Sequence, residues 1–338
     1  MARCRPAMTF ALCCTLLSFS ARVASAQGEA SKPLRAGIIG LDTSHVVAFT
    51  KILNGSNSSA VRVVAAYRGG SRDIPSSWDR VEGYTKELRD KYQVEIVDSI
   101  PALLEKVDVV LLESVDGRPH LDQARPVFKA KKPVFIDKPA AGSLVDAIKI
   151  YDLARESGTP CFSSSSLRYA PGIVAAKKDP KIGAITGCDA FSPCSLEEHH
   201  PDLFWYGIHG VETLYTLMGT GCKTVARAQT DSTEFVTGTW ADGRIGTFRG
   251  LRKGGAYGAT VFGSKGHALA AGAGAYDKLL EEITKFFQTG KAPVSAEETI
   301  EIMAFMEAAD ESKRQGGKPV TLESVIAKAR AEAAKDSK

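Results

Sequence analysis

Beyond its first 26 residues the sequence has no apolar run long enough to cross a membrane, so no span is expected in the body of the chain. It also lacks a block of one charge. The 43 Lys and Arg against 39 Asp and Glu leave a formal net charge of +4, scattered along the chain, which argues against a nucleic-acid partner. There is no internal repeat, which excludes a solenoid or propeller. Cysteine is sparse and its spacing matches no zinc pattern.

The start of the chain is of a different kind. Arg3 and Arg5 precede an apolar stretch from Met8 to Phe19, and Ala24-Ser25-Ala26 forms a small-residue cleavage site before Gln27. Residues 1–26 therefore read as a signal peptide, and the expectation is an exported chain, periplasmic or extracellular, that begins at Gln27. Export permits disulfides among the remaining Cys161, Cys188, Cys194 and Cys222. A chain of 338 residues that is 44% hydrophobic does not need such staples, so free buried thiols are expected.

From Arg35 short β-branched runs alternate with helical patterns. Strands are expected at 35–39, 61–67, 94–97, 107–112 and 133–136, and helices at 45–53, 81–92, 100–105, 119–130 and 144–157. This alternation predicts a Rossmann-type parallel sheet with right-handed crossovers over 33–160. A serine run, Ser163 to Ser166, marks a change of pattern. Over 161–325 an α+β substrate and oligomerisation domain is expected, with strands at 184–192, 223–231, 233–240, 244–251 and 258–263 in a largely antiparallel sheet. Trp240 to Arg244 reads as a hairpin turn and 202–218 as a helix covering the sheet. Two further helices follow, and 326–338 reads as a frayed helical tail. The fold class is α/β followed by α+β, and the open face of the second sheet suits a homo-oligomer.

Ligands of such sheets lie outside the carboxyl ends of the strands. There the first strand ends in Gly40-Leu41-Asp42-Thr43-Ser44-His45, and of the three glycines a dinucleotide fingerprint would place at 40, 42 and 45 only Gly40 is present. Asp42, Thr43 and Ser44 are good helix caps, and Asp42 reads equally as a cap or as a charge facing a pyrophosphate. After the second strand, where a carboxylate would hold the ribose of NAD, stand Arg68, Ser71 and Arg72. These have the chemistry to grip a 2′-phosphate, a lean toward NADP, and equally that of a solvated basic loop. The fifth strand delivers Lys138, able to bond a substrate hydroxyl or carry a proton.

The Asp137-Lys138-Pro139 triplet, with Arg118-Pro119-His120 after the fourth strand, resembles the glucose-fructose oxidoreductase and inositol dehydrogenase (Gfo/Idh/MocA) family, whose signature is Glu-Lys-Pro. Gly207-Ile208-His209-Gly210-Val211-Glu212, followed by Leu217-Met218-Gly219, is similar to that family's second motif. The stretches 287–293, 297–306 and 316–320 are similar to its C-terminal pattern, so the likeness runs from about Arg35 to Val325. The resemblance implies an oxidoreductase that moves a hydride between NAD or NADP and a sugar, polyol or related hydroxy compound. It places Lys138 beside the nicotinamide, His209 on the substrate hydroxyl, and His120 among the cofactor contacts. His209 and Glu212 share a helix face, so the carboxylate is positioned to orient the imidazole.

The sequence departs from the family at Trp205, where an acidic residue is usual; there it would stack on a sugar, with Arg168 as a further substrate contact. The cluster Glu197-Glu198-His199-His200 reads as a solvated loop rather than a metal site. Two other functions suit the same features: a redox-neutral sugar lyase or hydrolase with tightly held NAD, and a carbohydrate-binding protein that has lost the dinucleotide.

Overall fold

A computed structural model describes residues 1–2, 32–55 and 59–335. The segment read as a signal peptide lies outside them except for Met1 and Ala2. From Pro33 onward the chain forms one unit built on two sheets.

The first sheet contains β1 (Leu34–Ile39), β2 (Val61–Tyr67), β3 (Glu95–Val97), β4 (Val109–Leu112), β5 (Val134–Ile136) and β6 (Cys161–Ser163). All its pairings are parallel and the order is β3-β2-β1-β4-β5-β6, the doubly wound arrangement. Its strands are apolar on both faces. Val110, Leu112 and Ile136 face one core with Phe128 and Ile148; Ile38, Leu111 and Phe135 face the other with Phe49 and Phe286. The crossovers are α1 (Ser44–Asn54), α2 (Pro75–Tyr92), α3 (Ile100–Leu104), α4 (His120–Lys129) and α5 (Leu144–Ser157). The five expected strands are present within two residues at each end. Helix α2 begins six residues before the apolar pattern does, because Pro75 sits at its first turn, where no amide hydrogen is needed.

A short 3-10 turn (Ser166–Tyr169) and α6 (Pro171–Lys178) lead into the second sheet. It contains β7 (Ile185–Pro193), β8 (Cys222–Gln229), β9 (Thr233–Trp240), β10 (Ile245–Leu251), β11 (Gly258–Gly263), β12 (His267–Ala271) and β13 (Val320–Thr321), in the order β12-β11-β7-β10-β9-β8-β13. Its pairings are antiparallel except β7 with β10. The β9–β10 hairpin turns where expected, with Gly243 at φ +85°.

Helix α7 (Ile208–Met218) lies across this sheet and is buried on all sides. It begins six residues later than its pattern indicates. Leu203 and Phe204 are both fully buried, while Asp202 turns to Arg227 and Lys313, so the preceding segment docks side chains in directions one helix face cannot serve. Helix α8 (Tyr276–Thr289) returns to the first sheet, where Phe286 meets Phe162 edge-on at 4.7 Å. Helix α9 (Ala296–Arg314) follows, and then α10 (Leu322–Ala333). The end of the chain is thus no frayed tail through Ala333. Thr321 caps α10, and Val325, Ala329 and Ala333 bury a face against α5 and α9. Cys161, Cys188, Cys194 and Cys222 are free, and the last three are buried.

Candidate active site

The carboxyl ends of β1, β4 and β5 converge at the point where the strand order reverses. Gly40 follows β1 with φ +91°, and a Cβ there would lie 2.5 Å from the Ser114 amide nitrogen. Only glycine fits, because the turn is left-handed and the end of β4 presses on it. Thr43, not Asp42, caps α1, accepting from the His45 amide at 3.4 Å. Asp42 is fully buried instead. It accepts from Ser77 Oγ at 2.6 Å and from the Val115 amide at 3.1 Å, and burial raises its pKa. It does not cap the helix and is not on the wall of the neighbouring cavity.

A cavity of about 380 Å³ runs from the N-terminus of α1, at Thr43 and Ser44, past Arg80 to Lys138 and His209. Tyr206, Tyr257 and Tyr276 complete its walls with the Ser166–Leu167 backbone turn. The two residues of strongest expectation, one from each half of the chain, therefore share one space. Lys138 is 8% exposed, and its Nζ stands 5.9 Å from the centre of the Tyr206 ring. His209 is pushed well below the usual histidine pKa by burial, reinforced by Lys138 and His45 nearby. Its Nδ1 lies 2.9 Å from Ser165 Oγ. Tyr257 donates to Tyr206 Oη at 3.2 Å, and burial raises its pKa.

Glu212 does not meet His209. Its carboxylate accepts from Ser164 Oγ and the Ser165 amide at 2.9 and 2.8 Å, and Arg168 Nε lies 3.0 Å away. It fixes the turn that carries Ser165 and so acts on the imidazole only through that serine. Arg168 is taken up in turn by Glu212 and by Glu298 at 2.7 Å, and is not on the cavity wall. Trp205 packs on His200, with ring centres 4.8 Å apart, and its neighbour Tyr206 lines the cavity in its place. His120 is fully buried with its ring nitrogens facing the Ser114 and Ala140 carbonyls, a clamp between two loops.

The 68–77 loop is engaged with its own protein. Arg68 pairs with Glu82 at 2.6 Å, the Arg72 guanidinium lies over Trp78, and Ser71 donates to Asp116 at 2.5 Å. Arg118 bridges Asp116 and Asp73, and His200 Nε2 is 2.9 Å from Asp116. Against the effect of burial, the His200, Arg118 and Ser71 contacts hold Asp116 far below the usual carboxylate range. His200 is thus buried rather than solvated, while His199 faces outward to Glu197 and Asp73.

The sequence reading missed His45, Glu113, Arg80 and the three tyrosines. His45 had one visible signal: it stands where the fingerprint calls for its third glycine. Its Nδ1 is 2.6 Å from Asp137 Oδ2, and its ring stacks on Phe49.

A nicotinamide dinucleotide suits one half of this cleft. The α1 N-terminus with Arg80 offers a positive end for phosphate, while Gly40 serves the close packing of the end of β4. Residues 34–165 match the family described as oxidoreductase, NAD-binding Rossmann fold. No curated protein matches the chain. Among solved structures, a putative NADPH-dependent oxidoreductase from Desulfitobacterium hafniense is 17% identical with a TM-score of 0.72, covering 87% of this chain and 99% of its own. A probable dehydrogenase from Thermotoga maritima is 21% identical (TM-score 0.70; 86% and 100% covered). The myo-inositol dehydrogenase of Lactobacillus casei, solved with NAD(H) and myo-inositol, is 18% identical (TM-score 0.68; 86% and 97% covered). At these identities the structures establish a shared fold.

Proposed function

We propose, on the premise that residues 34–165 make this chain a member of the Gfo/Idh/MocA oxidoreductase family, that it moves a hydride between a nicotinamide cofactor and a hydroxyl-bearing carbon of a sugar, polyol or related compound. The observation that carries this reading is the single cavity joining the α1 N-terminus to Lys138 and His209. Thr43, Ser44 and Arg80 would hold the phosphate end of the cofactor, and Lys138 would stand at its reacting end. The bound nicotinamide supplies the hydride acceptor or donor.

The remaining chemistry is proton handling. Lys138 donates to the substrate oxygen and stabilises negative charge as it develops there. His209, neutral at pH 7 because burial opposes its charging, is the base that receives the hydroxyl proton on Nε2. For that, its Nδ1 must carry the hydrogen and donate to Ser165 Oγ. The three tyrosines exclude water and offer ring faces to a carbohydrate. Arg68 and Arg72, the basis for a lean toward NADP, have partners of their own, and NAD is the cofactor the family description supports. The N-terminal pattern supports export of a chain starting at Gln27.

A second reading has one observation in its favour. Ser71 and Asp73 are bonded through Asp116 and Arg118, which engages with its own protein the loop after β2 where a ribose would be held. In that reading the cavity binds a carbohydrate without a dinucleotide. Native mass spectrometry of the full chain titrated with NAD and NADP separates the two. The oxidoreductase reading expects a 1:1 complex at micromolar concentrations; no complex at millimolar NAD or NADP would favour the second.

A further inference from the structure

Beneath the cavity lies a group of ionisable side chains that the hydride reading does not use. Glu113 immediately follows β4 and is fully buried, and neither of its carboxylate oxygens has a hydrogen-bond partner among the described residues. Asp137, 2% exposed, immediately follows β5, and His45 sits in the first turn of α1. Because β1, β4 and β5 are adjacent and parallel, their carboxyl ends bring the three together. His45 Nδ1 is 2.6 Å from Asp137 Oδ2 and 4.0 Å from Glu113 Oε2, and one ligand atom from each residue lies within 4.8 Å of the others.

A carboxylate without partners in a protein interior is costly unless it takes up a proton or meets a cation. A proton on Glu113 is the competing answer, because the Asp137 oxygens, Oδ2 beside His45 and Oδ1 accepting from the Lys138 amide at 2.8 Å, keep lone pairs that could accept it; metal titration distinguishes the two. A cation would satisfy Glu113, Asp137 and the imidazole at once. We propose that His45 Nδ1 and the carboxylates of Glu113 and Asp137 bind one divalent transition-metal ion, of the zinc or manganese type. One imidazole with two carboxylates is a donor set suited to such ions.

Around an ion at about 2.0–2.2 Å, neighbouring ligand atoms stand roughly 3 Å apart. The His45–Asp137 contact opens by a few tenths of an ångström and Glu113 closes in by a larger step. His45 reaches the cavity wall, which gives the ion an entry path and leaves its free positions to water or to a hydroxyl bound in the cavity. Phe49 and Tyr276, the latter with its ring centre 4.9 Å from that of His45, hold the imidazole in place. The site does not depend on the hydride reading.

The test is metal content and calorimetric titration of the full chain, stripped with chelator and then offered zinc or manganese alone. The expected result is one ion per chain, an affinity at least tenfold weaker in Glu113→Gln, and a metal-dependent rise in melting temperature in the wild type only. Glu113→Met, which replaces the buried charge with an apolar side chain, guards against a folding artefact: it should melt no lower than the metal-free wild type and bind no ion. The proposal is overturned if the wild type takes up no ion at millimolar metal. It is equally overturned if Glu113→Gln binds like the wild type, or if Glu197→Ala abolishes binding, which would put the ion on the surface group of Glu197, Glu198 and His199. Dinucleotide binding, measured in the same preparations, can fail without changing any of these outcomes.

Discussion

Lys138→Ala is expected to lower turnover roughly 100- to 1,000-fold, the usual range for removing a positioned donor to a developing negative charge. The loss should fall on kcat, with the affinity for the dinucleotide changed by less than about tenfold, since phosphate would be held at the other end of the cavity by the α1 N-terminus and Arg80. Folding should survive, because the lysine ends on a cavity wall and the Asp137 carboxylate that accepts its backbone amide remains. Steady-state kinetics alongside cofactor titration checks both parts. Lys138→Arg should restore little activity, because the broad planar guanidinium cannot place its charge where the compact ammonium ends on the cavity wall. Turnover by Lys138→Ala at the wild-type rate would remove the lysine from the mechanism.

His209→Gln is expected to cost a comparable factor in kcat and also to change the pH profile. Burial, with Lys138 and His45 close by, holds the folded-state pKa of His209 well below 6.5, so the wild-type acid limb attributable to this group should lie well below pH 6.5 and be missing from the residual activity of the variant. The same shift has a sign for stability. In the unfolded chain the imidazole binds its proton near pH 6.5, and in the folded protein only at lower pH. Between those two values the unfolded state holds more protons, so stability falls as pH drops through this window and levels off below the folded-state pKa. Urea unfolding at a series of pH values should show this acid-side loss in the wild type and a smaller one in His209→Gln. Equal slopes in the two proteins would contradict a buried, neutral His209.

The parallel sheet was legible because each of its first five strands is a short β-branched or apolar run closed by polar residues, and because crossover-length helical patterns separate them. Strand β6 was missed since Cys161-Phe162-Ser163 is short and leads straight into the serine run, so its pairing with β5 is visible only in three dimensions. Strand β12, His267 to Ala271, is built from small residues and lies at a sheet edge. Helix α10 misled for a related reason: Ala329 and Ala333 bury a face with the residue type that also fills solvated tails.

At the site, Lys138 and His209 were legible from motifs in known order, and the structure puts both on one cavity wall. Their surroundings were not. Glu212 shares a helix face with His209, yet Ser164, Ser165 and Arg168 compete for its carboxylate, and none of these is near it in sequence. Asp42 stands at a capping position but is drawn inward by Ser77, from a helix 35 residues on. The choice of Tyr206 over Trp205 depends on how the segment before α7 docks, a tertiary matter. His45 appears in one dimension only as a departure from a glycine loop and Glu113 as a polar residue closing β4, and both gain meaning when β1, β4 and β5 are placed side by side.

The central claim is that a hydride crosses between a hydroxyl carbon and nicotinamide in the cavity that Lys138 and His209 share. The most direct measurement offers the protein NAD or NADP with polyols and sugars carrying deuterium on their carbinol carbons, and reads the mass of the nicotinamide afterwards. A deuterium is expected on the nicotinamide ring, transferred by the wild type and not by Lys138→Ala. A cofactor that binds but stays unlabelled with every such substrate, while those substrates occupy the cavity, would contradict it.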